Sequence, residues 1–132
     1  MDDDDIRVVV VDDVKDAADT LAMLLVAAGY SAWTANSGEE AIVLIEERMP
    51  RFVILDIGMP GIDGYELVTL LRHRYRDEIV LIAVTGWTDN EARVADTFSV
   101  VDHCFQKPVD PAVLCGLLAS LARDKAASGA KR

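Results

Sequence analysis

Five polar side chains of this sequence come directly after apolar runs, and their types suit phosphate chemistry at a metal ion. They are three carboxylates, a hydroxyl and an ammonium group: Asp12, Asp13, Asp56, Thr85 and Lys107. A carboxylate can act as a covalent nucleophile on phosphorus. Three acids in one place should not all ionise without a counter-charge. Mg²⁺, which prefers oxygen ligands, would neutralise them together with Lys107, so we predict a Mg²⁺ site that reacts with a phosphorylated donor.

Taken singly, each of these residues has an ordinary structural explanation. An Asp after a strand is often a turn former or a helix N-cap, and for Asp12 or Asp13 alone we would prefer that explanation. For Asp56 alone the two explanations are about even, and Thr85 and Lys107 alone would be surface residues. The prediction therefore depends on the five side chains converging in space.

Convergence requires that the apolar runs be strands of one parallel sheet. Continuous apolar runs, typical of buried strands, occupy residues 8–11, 52–55 and 79–84, and weaker candidates occupy residues 32–35 and 104–106. Helical spacing and capping signals fill the intervals. The first predicted helix has the apolar stripe Leu21, Leu24, Leu25 and Ala28 and ends at Gly29, and the second covers residues 41–48 after the capping residues Ser37 and Glu40. The third has the stripe Leu67, Leu70 and Leu71 after the capping residues Asp63 and Glu66, and a weaker fourth helix covers residues 90–98. The last has the stripe Leu114, Leu117, Leu118 and Leu121 after Asp110 and Pro111.

Strand and helix alternate five times, which predicts an α/β fold with a doubly wound parallel sheet between two layers of helices. In such sheets ligands bind beyond the carboxyl ends of the strands. The five polar side chains all follow predicted strands, so the fold places them at one edge.

Composition limits the remaining classes of function. The 132 residues suit one domain, and the formal net charge of −10 argues against direct binding to DNA or RNA. No apolar run has the length of a membrane span, and the start, MDDDDIRVVV, carries acid where a signal peptide carries base, so we expect a cytoplasmic protein. We expect a disordered acidic tip at residues 1–5, a domain at residues 6–123 and a flexible tail at residues 124–132.

The segments VVVVDDVKD, VILDIGMPGIDGYEL, IAVTGW and FQKPVD resemble the receiver domains of response regulators over residues 6–123. The wording LDIGMPGIDGYEL with TGW and KPVDP is most similar to receivers attached to hybrid sensor kinases. The resemblance implies a flavodoxin-like sheet with strand order 2-1-3-4-5. It also implies roles for individual residues: Asp56 as phosphoacceptor, Asp13 as a direct Mg²⁺ ligand, Asp12 as a ligand through water, the Gly58 carbonyl as a further ligand, Lys107 as partner of the phosphoryl group, Thr85 as the switch hydroxyl, and Pro108 after a cis peptide bond.

The same resemblance implies partners. A sensor histidine kinase or a histidine phosphotransfer protein would donate the phosphoryl group, and an unknown downstream protein would read the surface of the last helices. The chain would catalyse only its own phosphorylation and dephosphorylation. The resemblance is also compatible with a homodimer that forms on phosphorylation.

The sequence departs from the family pattern at several positions. Cys104 stands three residues before Lys107, where the family usually carries the Tyr or Phe whose swing accompanies movement of Thr85, and strand alternation points Phe105 to the opposite face. Gly86 replaces a common Ala. Gly58 and Trp87 lie at positions that, in the family, tune the lifetime of the aspartyl phosphate.

Three alternatives remain open at the level of sequence. A degenerate receiver would act as a constitutive protein-binding module, but it would tend to lack an acid or the Lys. A phosphatase of the haloacid-dehalogenase type would resemble DxD at its nucleophile, and Gly58 occupies the second position here. A flavodoxin would have to place a flavin phosphate against the acidic loop at residues 12–16.

Overall fold

Over the described residues up to 85, strands and helices alternate as the sequence predicts. The computed structural model describes residues 6–56, 64–85, 100–106 and 109–130. In chain order its elements are β1 (Arg7–Val11), α1 (Lys15–Ala27), β2 (Ser31–Ala35), α2 (Gly38–Arg48), β3 (Phe52–Asp56), α3 (Gly64–Tyr75), a 3₁₀ turn (Arg76–Glu78), β4 (Val80–Thr85), β5 (His103–Gln106) and α4 (Pro111–Ala130). The predicted helix at residues 90–98 lies outside the described residues.

All neighbouring strands pair in parallel, in the order β2-β1-β3-β4-β5. This confirms the predicted fold class and strand order. Within the sheet, Val11 at the end of β1 is in register with Ala35 of β2 and Leu55 of β3. The carboxyl ends of these three strands therefore lie side by side, and the residues that follow them share one edge.

Apolar side chains alternate between the two faces of the sheet and build a core on each. On one face, Val9 and Val11 pack with Ile45 of α2 and Leu67 of α3. On the other face lie the buried side chains that pack with α1 and α4, namely Val8, Val10, Ile54, Ile82, Leu25, Leu114 and Leu118. The sheet is thus the middle of three layers.

Helix ends follow the predicted capping chemistry at the positions that are described. The Ser37 hydroxyl accepts from the Glu40 N–H (3.1 Å), and an Asp110 carboxylate oxygen accepts from the Ala112 N–H (2.9 Å) at the start of α4. Gly29, with φ of 104°, follows α1 in a conformation that favours glycine. The predicted cap Asp63 lies outside the described residues.

The last helix is longer than the sequence analysis expects. Helical backbone continues through Ala130, past residue 123 where the predicted domain ends, and the flexibility expected of residues 124–132 stays a prediction. Alanine and lysine are strong helix formers and no proline interrupts the stretch, so the helix can continue past the core. The predicted acidic tip at residues 1–5 lies outside the described residues. None of the helices in the described part combines the length and hydropathy that crossing a bilayer requires.

Candidate functional site

Three carboxylates meet at the carboxyl ends of β1 and β3. Asp12 and Asp13 directly follow β1, and Asp56 is the last residue of β3. Because Val11 and Leu55 are in register, Asp12 and Asp56 leave the sheet next to one another. One carboxylate oxygen from each of Asp12, Asp13 and Asp56 lies within 4.8 Å of the others. The structure therefore brings together the three acids that the sequence predicts to converge, and we call them the acidic cluster.

The three acids differ in exposure. Asp12 is 8% exposed and is the one buried polar or charged side chain among the residues with described burial. One of its carboxylate oxygens accepts from the Val14 N–H at 3.0 Å. Asp56 is half-buried and Asp13 is exposed. The acidic cluster thus has a buried side at Asp12 and an exposed side at Asp13.

The electrostatics of the acidic cluster favour a divalent cation. Carboxylates this close repel one another, and the repulsion grows as burial lowers the local dielectric constant. The donor set consists of carboxylate oxygens, which suits Mg²⁺ better than a soft metal that prefers nitrogen or sulfur. The residues present therefore fit a hard divalent ion.

A cavity of about 220 Å³ opens beside the acidic cluster. Asp12 and Asp56 contribute its polar wall, and its apolar wall includes Leu21 of α1, Val84 of β4 and Val109. Ionic interactions are stronger beside apolar walls than in open water, because the local dielectric constant is lower.

Lys15, the only basic side chain in the first turn of α1, does not pair with the acidic cluster. Its ammonium lies 2.6 Å from a carboxylate oxygen of Asp19, one turn further along α1. The hydrogen bond to Asp19 raises the pKa of Lys15 above its ordinary value. Lys15 therefore stays a cation that Asp19 already neutralises.

Thr85, Lys107 and Gly58 complete the predicted set. Thr85 is the last residue of β4, and its backbone is in register with Gln106 of β5, at the same edge as Asp56. The Thr85 side chain lies outside the described part of the structure, as do Gly58, Lys107 and Pro108. The backbone thus places β4 and β5 as predicted, and the contacts of these four residues stay predictions.

Cys104 of β5 pairs with Ala83 of β4 and is partly buried. Burial raises the pKa of the Cys104 thiol above its ordinary value, so the residue is a neutral thiol. Phe105 packs against the core that contains Val84 and Leu114. That side chain belongs to the layer of α1 and α4, which agrees with the alternation expected from the sequence.

Sequence reasoning missed Asn36, which contacts the loop of Asp12 and Asp13, and it recognised Glu40 only as a helix-capping residue. The Asn36 side-chain amide donates to the Asp12 backbone carbonyl at 2.9 Å. A Glu40 carboxylate oxygen accepts from the Asn36 backbone N–H at 2.6 Å. A signal was available, because Asn36 directly follows β2 and so stands at the same sheet edge.

Comparison with known proteins points the same way as the geometry. Residues 8–119 match the family model of the response regulator receiver domain. The chain is 34% identical over 112 residues to a protein of Leptolyngbya boryana named "Uncharacterized 14.6 kDa protein in sodA1 3'region", covering 84% of this chain and 86% of that protein.

Solved structures of similar proteins share the whole fold. A response regulator receiver protein from Pseudomonas putida superposes with a TM-score of 0.81 at 29% identity, covering 88% of this chain and 97% of that one. A response regulator receiver domain protein (CheY-like) from Methanospirillum hungatei JF-1 gives a TM-score of 0.83 at 26% identity, covering 94% of this chain and 98% of that one. The similarity therefore spans nearly the full length of both partners.

Proposed function

This chain belongs to the response regulator receiver family of two-component systems, and from that premise we propose that Asp56 accepts a phosphoryl group in a Mg²⁺-dependent reaction. The observation that carries the proposal is the acidic cluster, in which oxygens of Asp12, Asp13 and Asp56 lie within 4.8 Å of one another. The donor is a phosphohistidine of a sensor histidine kinase or of a histidine phosphotransfer protein. The receiver family as a whole interacts with such proteins, and we propose that one of them is the donor for this chain.

Asp56 acts as the nucleophile. One of its carboxylate oxygens forms a bond to phosphorus while the bond between phosphorus and the donor imidazole nitrogen breaks. The electron pair of the broken bond stays on that nitrogen, which takes a proton from solvent. The product is an acyl phosphate on Asp56 and a neutral histidine on the donor.

The other site residues bind and orient. Asp12, Asp13, Asp56 and the Gly58 carbonyl would hold Mg²⁺, with Asp12 acting through water. When bound, the ion supplies positive charge against the phosphoryl oxygens. Lys107 pairs with the phosphoryl group and the Thr85 hydroxyl donates a hydrogen bond to it. In this proposal the chain catalyses its own phosphorylation from the phosphodonor and its own dephosphorylation, and it is not a conventional enzyme.

Phosphorylation would shift a conformational equilibrium. The group adds about −1.5 to −2 charges at the sheet edge, and it would draw Thr85 and its loop toward the phosphate and favour the state that presents the active surface of the last helices. A downstream protein, or a second copy of the chain, would bind that surface. Cys104 carries no ring, so this switch works without the Tyr or Phe usual at its position.

We also place the receiver at residues 6–123 and the protein in the cytoplasm. The match of the receiver family model to residues 8–119 supports the domain assignment. The domain limits and the compartment depend on sequence reasoning, and α4 extends beyond residue 123.

The alternatives fare less well. A degenerate receiver is not supported, because Asp12, Asp13 and Asp56 are all present and lie together. A phosphatase of the haloacid-dehalogenase type or a flavodoxin would not be expected to match the receiver family over residues 8–119.

The test is incubation of the purified chain with acetyl phosphate, with and without Mg²⁺, followed by intact mass spectrometry. We expect one labile phosphoryl adduct that requires Mg²⁺ and that Asp56→Asn abolishes. Asp77→Asn is the matched control, since Asp77 is an exposed acid in the 3₁₀ turn, and it should phosphorylate like the wild type. An adduct of equal yield in Asp56→Asn would place the chemistry on another residue.

A further inference from the structure

The loop that carries Asp12 and Asp13 is hydrogen-bonded to the end of β2, a strand that contributes no acid to the acidic cluster. The Asp12 N–H donates to the Ala35 carbonyl at 3.0 Å, which continues the pairing of β1 with β2 by one residue. The next residue, Asn36, directly follows β2, and its side-chain amide donates to the Asp12 backbone carbonyl at 2.9 Å. Both backbone polar groups of Asp12 are therefore bound by consecutive residues, Ala35 and Asn36.

The bond from Asn36 acts on both acids of the loop. The carbonyl that it binds belongs to the peptide unit that joins Asp12 to Asp13, and a peptide unit is planar. A donor on this oxygen therefore fixes the orientation of the peptide plane next to the Asp13 Cα atom. This matters for Asp13 because its own side chain is exposed rather than packed. Asp12 is fixed in addition by burial and by its bond with the Val14 N–H.

Asn36 is itself fixed by the start of α2. Its backbone N–H donates to a carboxylate oxygen of Glu40 at 2.6 Å, and Glu40 lies in the first turn of α2. Hydrogen bonds to a carboxylate are shorter and stronger than those between neutral groups. A continuous path of two hydrogen bonds thus links Glu40 to Asn36 and Asn36 to the backbone of Asp12.

The chemistry of the amide suits this position. The Asn side chain offers an N–H donor without adding charge beside three carboxylates. Aspartate in the same place would be isosteric, but when ionised it has no donor and would add a fourth negative charge near the acidic cluster. Alanine would leave the Asp12 carbonyl without this partner.

We propose that Asn36 is a positioning residue for Mg²⁺ binding, which acts through the Asp12 carbonyl and is oriented by Glu40. The inference rests on the proposed function, because it assumes that the acidic cluster binds Mg²⁺. It assigns to the exit of β2 a part in the reaction that the acids on β1 and β3 perform.

The first measurement is Mg²⁺ affinity, determined by titration calorimetry with Mg²⁺ alone. We expect Asn36→Ala to weaken binding by about 2- to 10-fold, the range that corresponds to one hydrogen bond, and Asn36→Asp to do the same or worse. Glu40→Gln keeps an oxygen that can accept from the Asn36 N–H, so it should stay closer to wild type than Glu40→Ala.

The second measurement separates positioning from general destabilisation. With acetyl phosphate as donor, Asn36→Ala should need more Mg²⁺ for its half-maximal rate of phosphorylation and should approach the wild-type rate at saturating Mg²⁺. In metal-free protein, amide hydrogen exchange should become faster at Val14, whose N–H binds Asp12, while the amides of β3 keep their protection. Ile45→Val is the control, because it weakens the packing of α2 without removing a hydrogen bond of Asn36 or Glu40, and it should leave the Mg²⁺ requirement unchanged.

The outcomes distinguish the two proposals. If the wild type binds no Mg²⁺, the proposed function fails and the inference fails with it. If the wild type binds Mg²⁺ and Asn36→Ala matches it in affinity and in exchange at Val14, the role of Asn36 is wrong and the proposed function stands. A loss in Asn36→Ala that Ile45→Val reproduces in full would also overturn the inference, since it would reflect the stability of α2.

Discussion

The three aspartates of the acidic cluster differ in exposure and hydrogen bonding because their surroundings differ. Asp12 and Asp13 are adjacent in sequence, yet Asp12 is buried and accepts from a backbone N–H, whereas Asp13 is exposed. Asp56 lies between these extremes on a neighbouring strand. Their carboxylates repel one another at distances below 4.8 Å. Such a group destabilises the metal-free fold and stabilises the metal-bound form.

Removing one acid should therefore stabilise the metal-free protein. Two charges about 4 Å apart repel by about 1 kcal/mol in water and more near a protein surface. We expect Asp13→Asn to raise the midpoint of thermal unfolding in EDTA by about 2–5 °C. Mg²⁺ should raise the midpoint of the wild type by mass action and that of the variant less.

The control for this prediction is Asp77→Asn, which removes the same charge from an exposed position in the 3₁₀ turn. It should leave both the midpoint and its response to Mg²⁺ close to wild type. A lower midpoint for Asp13→Asn in EDTA would mean that Asp13 stabilises the fold by contacts that outweigh the repulsion.

Arg72 connects several secondary-structure elements at the amino ends of the strands, opposite the acidic cluster. The Arg72 guanidinium of α3 binds a carboxylate oxygen of Asp102 at 2.6 Å and the Val100 carbonyl at 3.0 Å. The same Asp102 oxygen accepts from the Leu81 N–H at 2.8 Å. Arg72 thus joins α3 to the start of β4 and to the segment that leads into β5.

Loss of this side chain should destabilise the fold. We expect Arg72→Ala to lower the free energy of unfolding in urea by about 1–3 kcal/mol, because hydrogen bonds to charged groups contribute more than neutral ones. Arg72→Lys should recover only part of the loss, since an ammonium cannot reach a carboxylate and a carbonyl in the fork geometry of a guanidinium.

Arg74 of α3 offers a matched control, being an exposed arginine two residues away. Arg74→Ala should change the free energy of unfolding by less than about 0.5 kcal/mol. Equal losses for the two alanine variants would show that the Arg72 contacts contribute nothing specific.

At the scale of the whole molecule, two apolar cores are separated by the sheet that they share. Ile45 belongs to the core beneath α2 and α3, and Ile82 belongs to the core beneath α1 and α4. Both side chains are fully buried. Because the strands carry residues of both cores in alternation, neither core can form without the sheet, and we expect one cooperative unfolding transition.

Mutations in the two cores should then act independently within that single transition. We expect Ile45→Val and Ile82→Val each to lower the free energy of unfolding by about 0.5–1.5 kcal/mol. The double variant should lose the sum of the two to within about 0.5 kcal/mol, as is usual for sites without shared partners. Urea unfolding followed by both fluorescence and circular dichroism measures this. Two separate transitions would contradict the shared sheet.

Much of the site follows from local signals that the sequence carries on its own. Apolar runs and capping residues determined where the strands and helices lie, and the alternation of the two determined a parallel sheet. Parallel strands bring their carboxyl ends to one edge, so the sequence alone predicts that Asp12, Asp13 and Asp56 meet. These conclusions depend on periodicity and chain direction, which sequence records directly.

Only the tertiary structure decided which atoms meet across the fold. The buried state of Asp12, the contact of Asn36 with its carbonyl, and the contacts of Arg72 depend on side-chain packing between residues distant in sequence. The helical backbone beyond residue 123 was likewise not predicted, because helix propensity is a weak signal once the apolar stripe ends. Spacing along the chain records which edge a residue reaches, whereas hydrogen-bond partners depend on distances that packing sets in three dimensions.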